Sequence, residues 1–167
     1  ALQVRIERDR SAGAVDGDIT LSQTTLSAAK VTLNAVAGAI AHGQGLLSAG
    51  TLIALARDGL TANSLVQFID ATVTGAGGIT IANAGAITLT RLDAANGSIT
   101  VQALGSMTVA NVITRGGSDL NDIKLTTYKT GAVRADLNVQ SLVANGAGDV
   151  ALFVQGSINQ TAPASGG

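Results

Sequence analysis

GITIANAGAITLTRLDAANGSITVQALGSMTV, residues 78–109, contains the pattern that decides the fold. A glycine-led motif at 78–81 returns about 20 residues later at 97–101, where the sequence reads Gly-Ser-Ile-Thr-Val. A second motif, Gly-Ala-Ile-Thr-Leu at 85–89, returns after the same interval at 105–109. Two independent columns that share one period indicate a repeat architecture in which each repeat is one structural unit.

Both columns continue through the rest of the chain with looser spacing. The first column includes residues 17–21, 38–42, 59–61, 122–125 and 148–152. The second column is predicted to include residues 30–33, 50–53, 65–68, 131–134 and 156–159. A third, fainter column ends in turn residues at 92–97, 112–117 and 142–146. Together they predict about seven coils of roughly 20 residues each between residues 17 and 161.

Each motif is an apolar–polar–apolar triplet, which is typical of a short strand with one buried and one outward face. The preceding glycine predicts a corner with positive φ. A triplet cannot fold alone, but stacking coils about 4.8 Å apart pairs its backbone groups with the coils above and below. The sequence therefore predicts an all-β fold, a single-stranded parallel β-helix. Its inward ladders pair Ile79 with Ile99 and Ile87 with Met107. Two outward threonine ladders are also predicted: one contains Thr20, Thr80 and Thr100, and the other contains Thr32, Thr88 and Thr108.

One segment and both ends need a separate interpretation. Residues 47–69 carry apolar residues at spacings that also suit a helix, although Gly50 and Gly59 weaken that alternative. The charged opening segment, 1–16, contains an alternating stretch that predicts a strand capping the first coil. Residues 162–167 read as a flexible tail, so that the solenoid itself is predicted to span 17–161.

Composition excludes several classes of function. The ten basic and eleven acidic residues give a formal net charge of −1, so no basic field attracts a nucleic-acid backbone. The apolar stretches are interrupted by polar and charged residues before they reach the length of a membrane span, so we expect no membrane insertion. The absence of cysteine removes thiol chemistry and cysteine metal sites.

Few residues could carry chemistry. His42 is the single histidine, which excludes metal sites that need several histidines, and its place at a strand end predicts a surface or corner residue. Asp119 and Asp122 are the nearest pair of carboxylates, but their Gly-Gly-Ser-Asp-Leu-Asn-Asp context favours a turn over a catalytic pair. The same segment only partly matches a calcium-binding nonapeptide, which needs stacked copies, so calcium there remains a weak alternative. We predict no catalytic residues, no metal site and no cofactor.

Repeats of the form Gly-Asp/Ser/Ala-Ile-Thr-Leu/Val, alternating with Ala-Asn-Gly turns, resemble the β-helical exoproteins typified by filamentous haemagglutinin. The resemblance covers roughly residues 17–161 and includes Gly-Ser-Ile-Asn-Gln-Thr at 156–161. It implies a right-handed shaft that belongs to a large secreted bacterial surface protein. It also implies export through a dedicated outer-membrane partner. Autotransporter passengers share this style of repeat, and the family's amino-terminal secretion domain is not evident.

Three classes of function follow from this sequence. The first is a structural or adhesive shaft segment, secreted to the bacterial surface, that binds surface glycans or proteins passively or acts only as a spacer. The second is a carbohydrate-active β-helix enzyme, which needs converging carboxylates. The third is an ice or flat-surface binder that uses the threonine ladder, for which only Thr88-Leu89-Thr90 supplies the required pattern. We favour the first class and expect no enzyme.

Overall fold

The protein is built almost entirely from short strands. The computed structural model describes residues 2–8, 17–22 and 25–161. These residues form no helix, and their strands are Gln3–Arg8 (β1), Ile19–Leu21 (β2), Leu26–Ala35 (β3), Ile40–His42 (β4), Leu47–Ala56 (β5), Leu60–Val73 (β6), Ile79–Asn83 (β7), Ile87–Ala94 (β8), Ile99–Leu104 (β9), Met107–Val109 (β10), Val112–Thr114 (β11), Ile123–Tyr128 (β12), Leu137–Val139 (β13), Leu142–Ala144 (β14), Val150–Val154 (β15) and Ile158–Gln160 (β16).

The strands stack in parallel into a β-solenoid of seven coils, as predicted. One inward position recurs in every coil, and its register pairs join Ile19, Ile40, Leu60, Ile79, Ile99, Ile123 and Val150. Successive members differ in residue number by 21, 20, 19, 20, 24 and 27. The early coils therefore keep the predicted period, whereas the last two intervals contain longer loops.

Each complete coil presents three faces. The first face is made by β2, β4, the start of β6, β7, β9, β12 and β15. The second face is made by Ile87–Leu89 of β8 with β10, β13 and β16, and the third by Leu92–Ala94 of β8 with β11 and β14. The predicted third column, which starts at Leu92, Val112 and Leu142, is confirmed by this pairing.

The core is a narrow aliphatic column enclosed by these faces. Ile79, Ile99 and Ile123 are completely buried one above another, and Met107 is buried on Ile87. Burying an aliphatic side chain of this size contributes about 1.5–3 kcal/mol. The ladders predicted from the sequence are therefore the main source of stability, since the chain has no disulfide.

The predicted second column is wrong in the first three coils and in the sixth. Thr88 and Thr108 are register partners, but below them lie Phe68, Thr51 and Lys30 rather than Thr32. In coil 6 the position belongs to Leu137–Val139, not to residues 131–134. The early strands β3, β5 and β6 run through the corner without a break, with two consecutive side chains turned outward, so the triplets there were aligned out of register, Thr32 for example by two residues.

The helical alternative for residues 47–69 is wrong. This segment contributes to β5 and β6, which pair with each other over Leu47–Ala56 and Ser64–Val73. At the amino end, β1 pairs in parallel with Lys30–Ala35 of β3. The rest of the predicted capping segment, residues 9–16, and the predicted flexible tail, 162–167, lie outside the described residues.

Most repeat glycines are required by close stacking rather than by positive φ. Gly59 and Gly105 do have positive φ, of 133° and 141°. Gly97, in contrast, is outside the left-handed region, and a Cβ added to it would lie 2.5 Å from the carbonyl oxygen of Gly77 on the coil below. A carbon atom cannot approach a backbone oxygen so closely, so the absence of a side chain lets the coils approach at this corner.

Candidate functional site: acidic residues and an axial groove

Several acidic side chains stabilise the corners where one coil follows another. Oδ1 of Asp18 accepts a hydrogen bond of 2.6 Å from the backbone N–H of Ala39 on the next coil. Oδ1 of Asp122 accepts one of 2.9 Å from Asp149 N–H. Equivalent bonds run from Ser157 N–H to Asp136 Oδ1 (2.8 Å) and from Asp136 N–H to Ser106 Oγ (3.1 Å). The Asp or Ser of the repeat motif therefore acts as an acceptor for a corner N–H that lies outside the strand ladder.

Other carboxylates form ion pairs. Asp93 accepts two hydrogen bonds of 2.7 Å from Nε and Nη2 of Arg115, and this interaction raises the pKa of the Arg115 guanidinium above its ordinary value. Asp70 pairs with Arg91 on the next coil at 2.9 Å. Two further ion pairs lie within a single strand or turn, Asp58 with Arg57 and Glu7 with Arg5.

These contacts account for most of the acidic residues. The chain has eleven acidic residues, of which Asp9 and Asp16 lie outside the described residues, leaving nine. Four of the nine form ion pairs and three accept corner N–H groups. The carboxylates are therefore distributed along the solenoid in contacts that hold its coils and turns.

The two carboxylates weighed as a catalytic or calcium-binding pair have different surroundings. Asp122 is one of the corner acceptors, whereas Asp119 is exposed in the turn before it. That turn is closed by a hydrogen bond of 3.1 Å from Asn121 N–H to the carbonyl oxygen of Ser118. Across residues 2–8, 17–22 and 25–161, no group of three or more His, Cys, Asp or Glu side chains is arranged to hold a metal ion.

The position predicted for His42 is wrong, because the side chain is fully buried. It ends β4, where Ile40 and His42 face inward and Ala41 faces outward. The alternation of a strand, extended from Ile40, places the histidine inside. On the preceding coil its register partner in the same inward column is Leu21.

A concave groove runs along the solenoid axis on the first face and its following corner. Two neighbouring cavities of about 310 and 450 Å³ form it, and both include Gln102 and Tyr128. We call this surface the axial groove. The residues that define it are Asn63, Gln102, Leu104, Lys124, Tyr128 and Phe153.

Strand register explains how distant residues meet in the axial groove. Gln102 of β9 pairs with Thr126 of β12, which pairs with Phe153 of β15, so all three face outward in one column. Thr126 is nevertheless only 6% exposed, because larger side chains surround it. The threonine therefore forms part of the floor, and the amide and aromatic side chains form the walls.

Charge and aromatic surface are combined at one end of the groove. Nζ of Lys124 lies 5.3 Å from the centre of the Phe153 ring, which is a cation–π distance. Tyr128 and Phe153 are 38% and 54% exposed. They are two of only three aromatic residues in the chain, the third being Phe68. The groove was not predicted from the sequence, although outward aromatic residues on strands were a usable signal.

Comparison with known protein families, curated proteins and solved structures finds no match to this chain. Across the part of the chain that the structure describes, no helix is long and apolar enough to cross a membrane. The fold and the surface are therefore the observations from which a function can be inferred.

Proposed function

We propose that this chain is a structural or adhesive segment of a large secreted bacterial surface protein, in which it forms part of a shaft and catalyses no reaction. The resemblance to filamentous haemagglutinin-like exoproteins belongs to this proposal, as does export through an outer-membrane partner. The partners of an adhesive shaft would be glycans or proteins on host or neighbouring cells. A spacer would only extend the shaft.

The proposal rests mainly on the contacts that the carboxylates make. A glycosidase needs two carboxyl groups that converge on the substrate, one of them as acid. Here seven of the nine described acidic residues are engaged in ion pairs or corner hydrogen bonds that join neighbouring parts of the coils. Five of the seven, Asp18, Asp70, Asp93, Asp122 and Asp136, join one coil to the next, so most of the described acidic residues support the stacking that an extended shaft requires.

The regular stack supports a role as a rod. Seven coils at about 4.8 Å per coil give a length of about 34 Å before any capping element. Because each coil contacts mainly its neighbours, such a rod can be lengthened by adding coils without changing its cross-section. An elongated carrier of this kind is suited to hold a binding surface away from the cell.

The outward surface gives less support to a threonine-based flat binder. Thr61, Thr80 and Thr100 follow one another in one column, but the next residue of that column is Lys124. The neighbouring outward column contains Asn63, Ala82 and Gln102, so no two threonine columns run side by side there.

The test uses polysaccharides and variants that preserve the corner contact. The chain is incubated with pectin and alginate, with and without calcium, and new chain ends are measured. We expect no cleavage. The matched variant is Asp119→Asn combined with Asp122→Asn, since asparagine keeps an acceptor oxygen for Asp149 N–H but removes the carboxylate. Cleavage by the natural chain that disappears in this variant would overturn the proposal in favour of an enzyme.

A further inference from the structure

We propose that the axial groove binds an oligosaccharide that carries an acidic group, with Tyr128 against the sugar ring and Lys124 beside the acid. This inference rests on the adhesive form of the proposed function and gives it a location and a ligand class. It concerns the part of the groove formed by coils 5 to 7, where Gln102, Lys124, Tyr128 and Phe153 meet.

The axial groove has the size and shape of a site for a linear ligand. The larger cavity has a volume of about 450 Å³, which lies within the range of small-ligand sites. It shares Gln102 and Tyr128 with the second cavity, whose lining includes Asn63 and Leu46 on earlier coils. A groove that follows the axis over several coils, each about 4.8 Å apart, suits a linear chain of rings better than a compact ligand.

The groove also exposes aromatic surface. Tyr128 and Phe153 are among the large apolar side chains that stay exposed, and both line the larger cavity, where a ligand could bury their rings. Tyr128 combines an apolar ring face with a hydroxyl group that can donate or accept a hydrogen bond. A sugar ring has the complementary surface, since one face presents C–H groups and the rim presents hydroxyls.

The groove carries a positive charge. Lys124 contributes a positive charge to the larger cavity, and no acidic residue is among the described residues that line either cavity. The Phe153 ring holds the ammonium group by the cation–π contact, which keeps it at the groove wall. A carboxylate or sulfate on the ligand would complement this unopposed charge, which is why an acidic sugar is favoured over a neutral sugar.

The groove offers amide side chains that can form hydrogen bonds with a ligand. Gln155 also lines the larger cavity, and its Oε1 accepts a hydrogen bond of 3.0 Å from Lys129 N–H. This bond orients the side chain, so its amide hydrogens become the donors that remain for a ligand. Together with exposed Gln102, the groove offers planar amides next to an aromatic ring, an arrangement that an apolar peptide would leave unsatisfied.

The experiment uses the fluorescence of Tyr128. The chain contains one tyrosine and no tryptophan, so its tyrosine emission reports on the axial groove alone. The whole chain is titrated with short oligogalacturonates, with neutral galacto-oligosaccharides of the same length, and with an uncharged apolar peptide. We expect a saturable change with the acidic sugar at millimolar concentration, weakened by added salt, and little change with the other two.

Three variants test the assignment. Lys124→Gln should weaken binding of the acidic sugar roughly fivefold and remove its salt dependence, since one exposed charge contributes about 1 kcal/mol. Phe153→Ala should weaken binding as well, because it releases the lysine. Phe68→Ala is the matched control, because Phe68 is similarly exposed but lines neither cavity, and it should bind like the natural chain.

Several results would overturn the groove assignment: no response to the acidic sugar, equal response to the neutral sugar, preference for the peptide, or equal losses in Phe153→Ala and Phe68→Ala. These outcomes leave a spacer shaft intact. Conversely, binding followed by the release of shortened sugars would contradict the passive shaft while the groove assignment stood. The two proposals therefore fail in distinguishable ways.

Discussion

Ser64 donates a hydrogen bond of 2.9 Å from its hydroxyl to Oδ1 of Asn83, its register partner on the next coil. Both side chains are buried among aliphatic neighbours. The same Oδ1 accepts the backbone N–H of Val66 at 2.8 Å, and Nδ2 of Asn83 donates to the carbonyl oxygens of Val66 and Gly85. One asparagine thus satisfies the backbone on both sides of a corner.

Replacing this asparagine should be costly. Asn83→Ala leaves the N–H and carbonyl of Val66 without their side-chain partner in a buried place, and each such loss costs about 1–3 kcal/mol. Asn159→Ala is the control, since Asn159 donates to Asn138 at an exposed position. Denaturant unfolding should show a clear decrease for Asn83→Ala and a change within about 0.5 kcal/mol for Asn159→Ala. Equal decreases would contradict the corner role.

The inward ladder gives a second prediction. Ile99→Asp buries a charge in the aliphatic column and should cost about 4 kcal/mol or more, enough to threaten folding. Thr100→Asp, one residue later, turns outward next to Lys124 on the adjacent coil and should change stability by about 0.5 kcal/mol or less. Thermal unfolding followed by circular dichroism measures both. A reversed order of the two effects would mean that the strand register is wrong.

Three glycine-to-alanine changes separate close stacking from backbone conformation. Gly97→Ala forces a Cβ against the coil below and should cost about 1–3 kcal/mol. Gly131→Ala has open space around the new carbon but requires a positive φ of 61°, so we expect about 1–2 kcal/mol. Gly117→Ala meets neither obstacle and should be nearly neutral. Denaturant unfolding measures the free energy of unfolding of all three variants. A neutral Gly97→Ala would contradict the close stacking at that corner.

The ion pair between Asp93 and Arg115 should contribute more than the one between Asp70 and Arg91. The Asp93 side chain is 12% exposed and accepts two hydrogen bonds, whereas that of Asp70 is 35% exposed and accepts one. Asp93→Asn should therefore lower the melting temperature more than Asp70→Asn, because a less exposed pair is less screened by solvent. Equal shifts would contradict the greater contribution of the less exposed pair.

The pH dependence of the Asp93 pair follows from the raised pKa of Arg115. A group whose pKa is raised by folding contributes stability below its unfolded pKa and loses it as pH rises through the folded value. For an arginine this loss falls at strongly alkaline pH, so the stability difference between the natural chain and Asp93→Asn should stay constant from about pH 7 to about pH 9. A difference that declined within this range would contradict the assignment.

The sequence predicted the first face well because its coils repeat a local signal. The inward residue is close to a glycine in nearly every coil, and alternation places Ile79 and Ile99 on the same side. Alternation also bears on His42, two residues after buried Ile40, yet its position near a turn led to the wrong interpretation. Local pattern therefore decides the face of a residue more reliably than its distance from a strand end.

The second face could not be aligned from the sequence alone. In the early coils no break separates it from the strand before it, and in coil 6 the longer loop moves the pairing to Leu137. The axial groove depends on the same unequal intervals. Tyr128 and Phe153 come from successive coils whose spacing is 27 residues rather than 20, so their proximity required knowledge of the strand register.

Stacking by single turns of chain has a mechanical consequence. A coil of about 20 residues occupies about 4.8 Å along the axis while it is stacked. Pulled straight, the same residues extend to about 66–72 Å. Since each coil is joined mainly to its neighbours, tension would detach coils one after another rather than break the rod at once. A solenoid built this way should resist small loads and extend more than tenfold under large ones, absorbing work at each release.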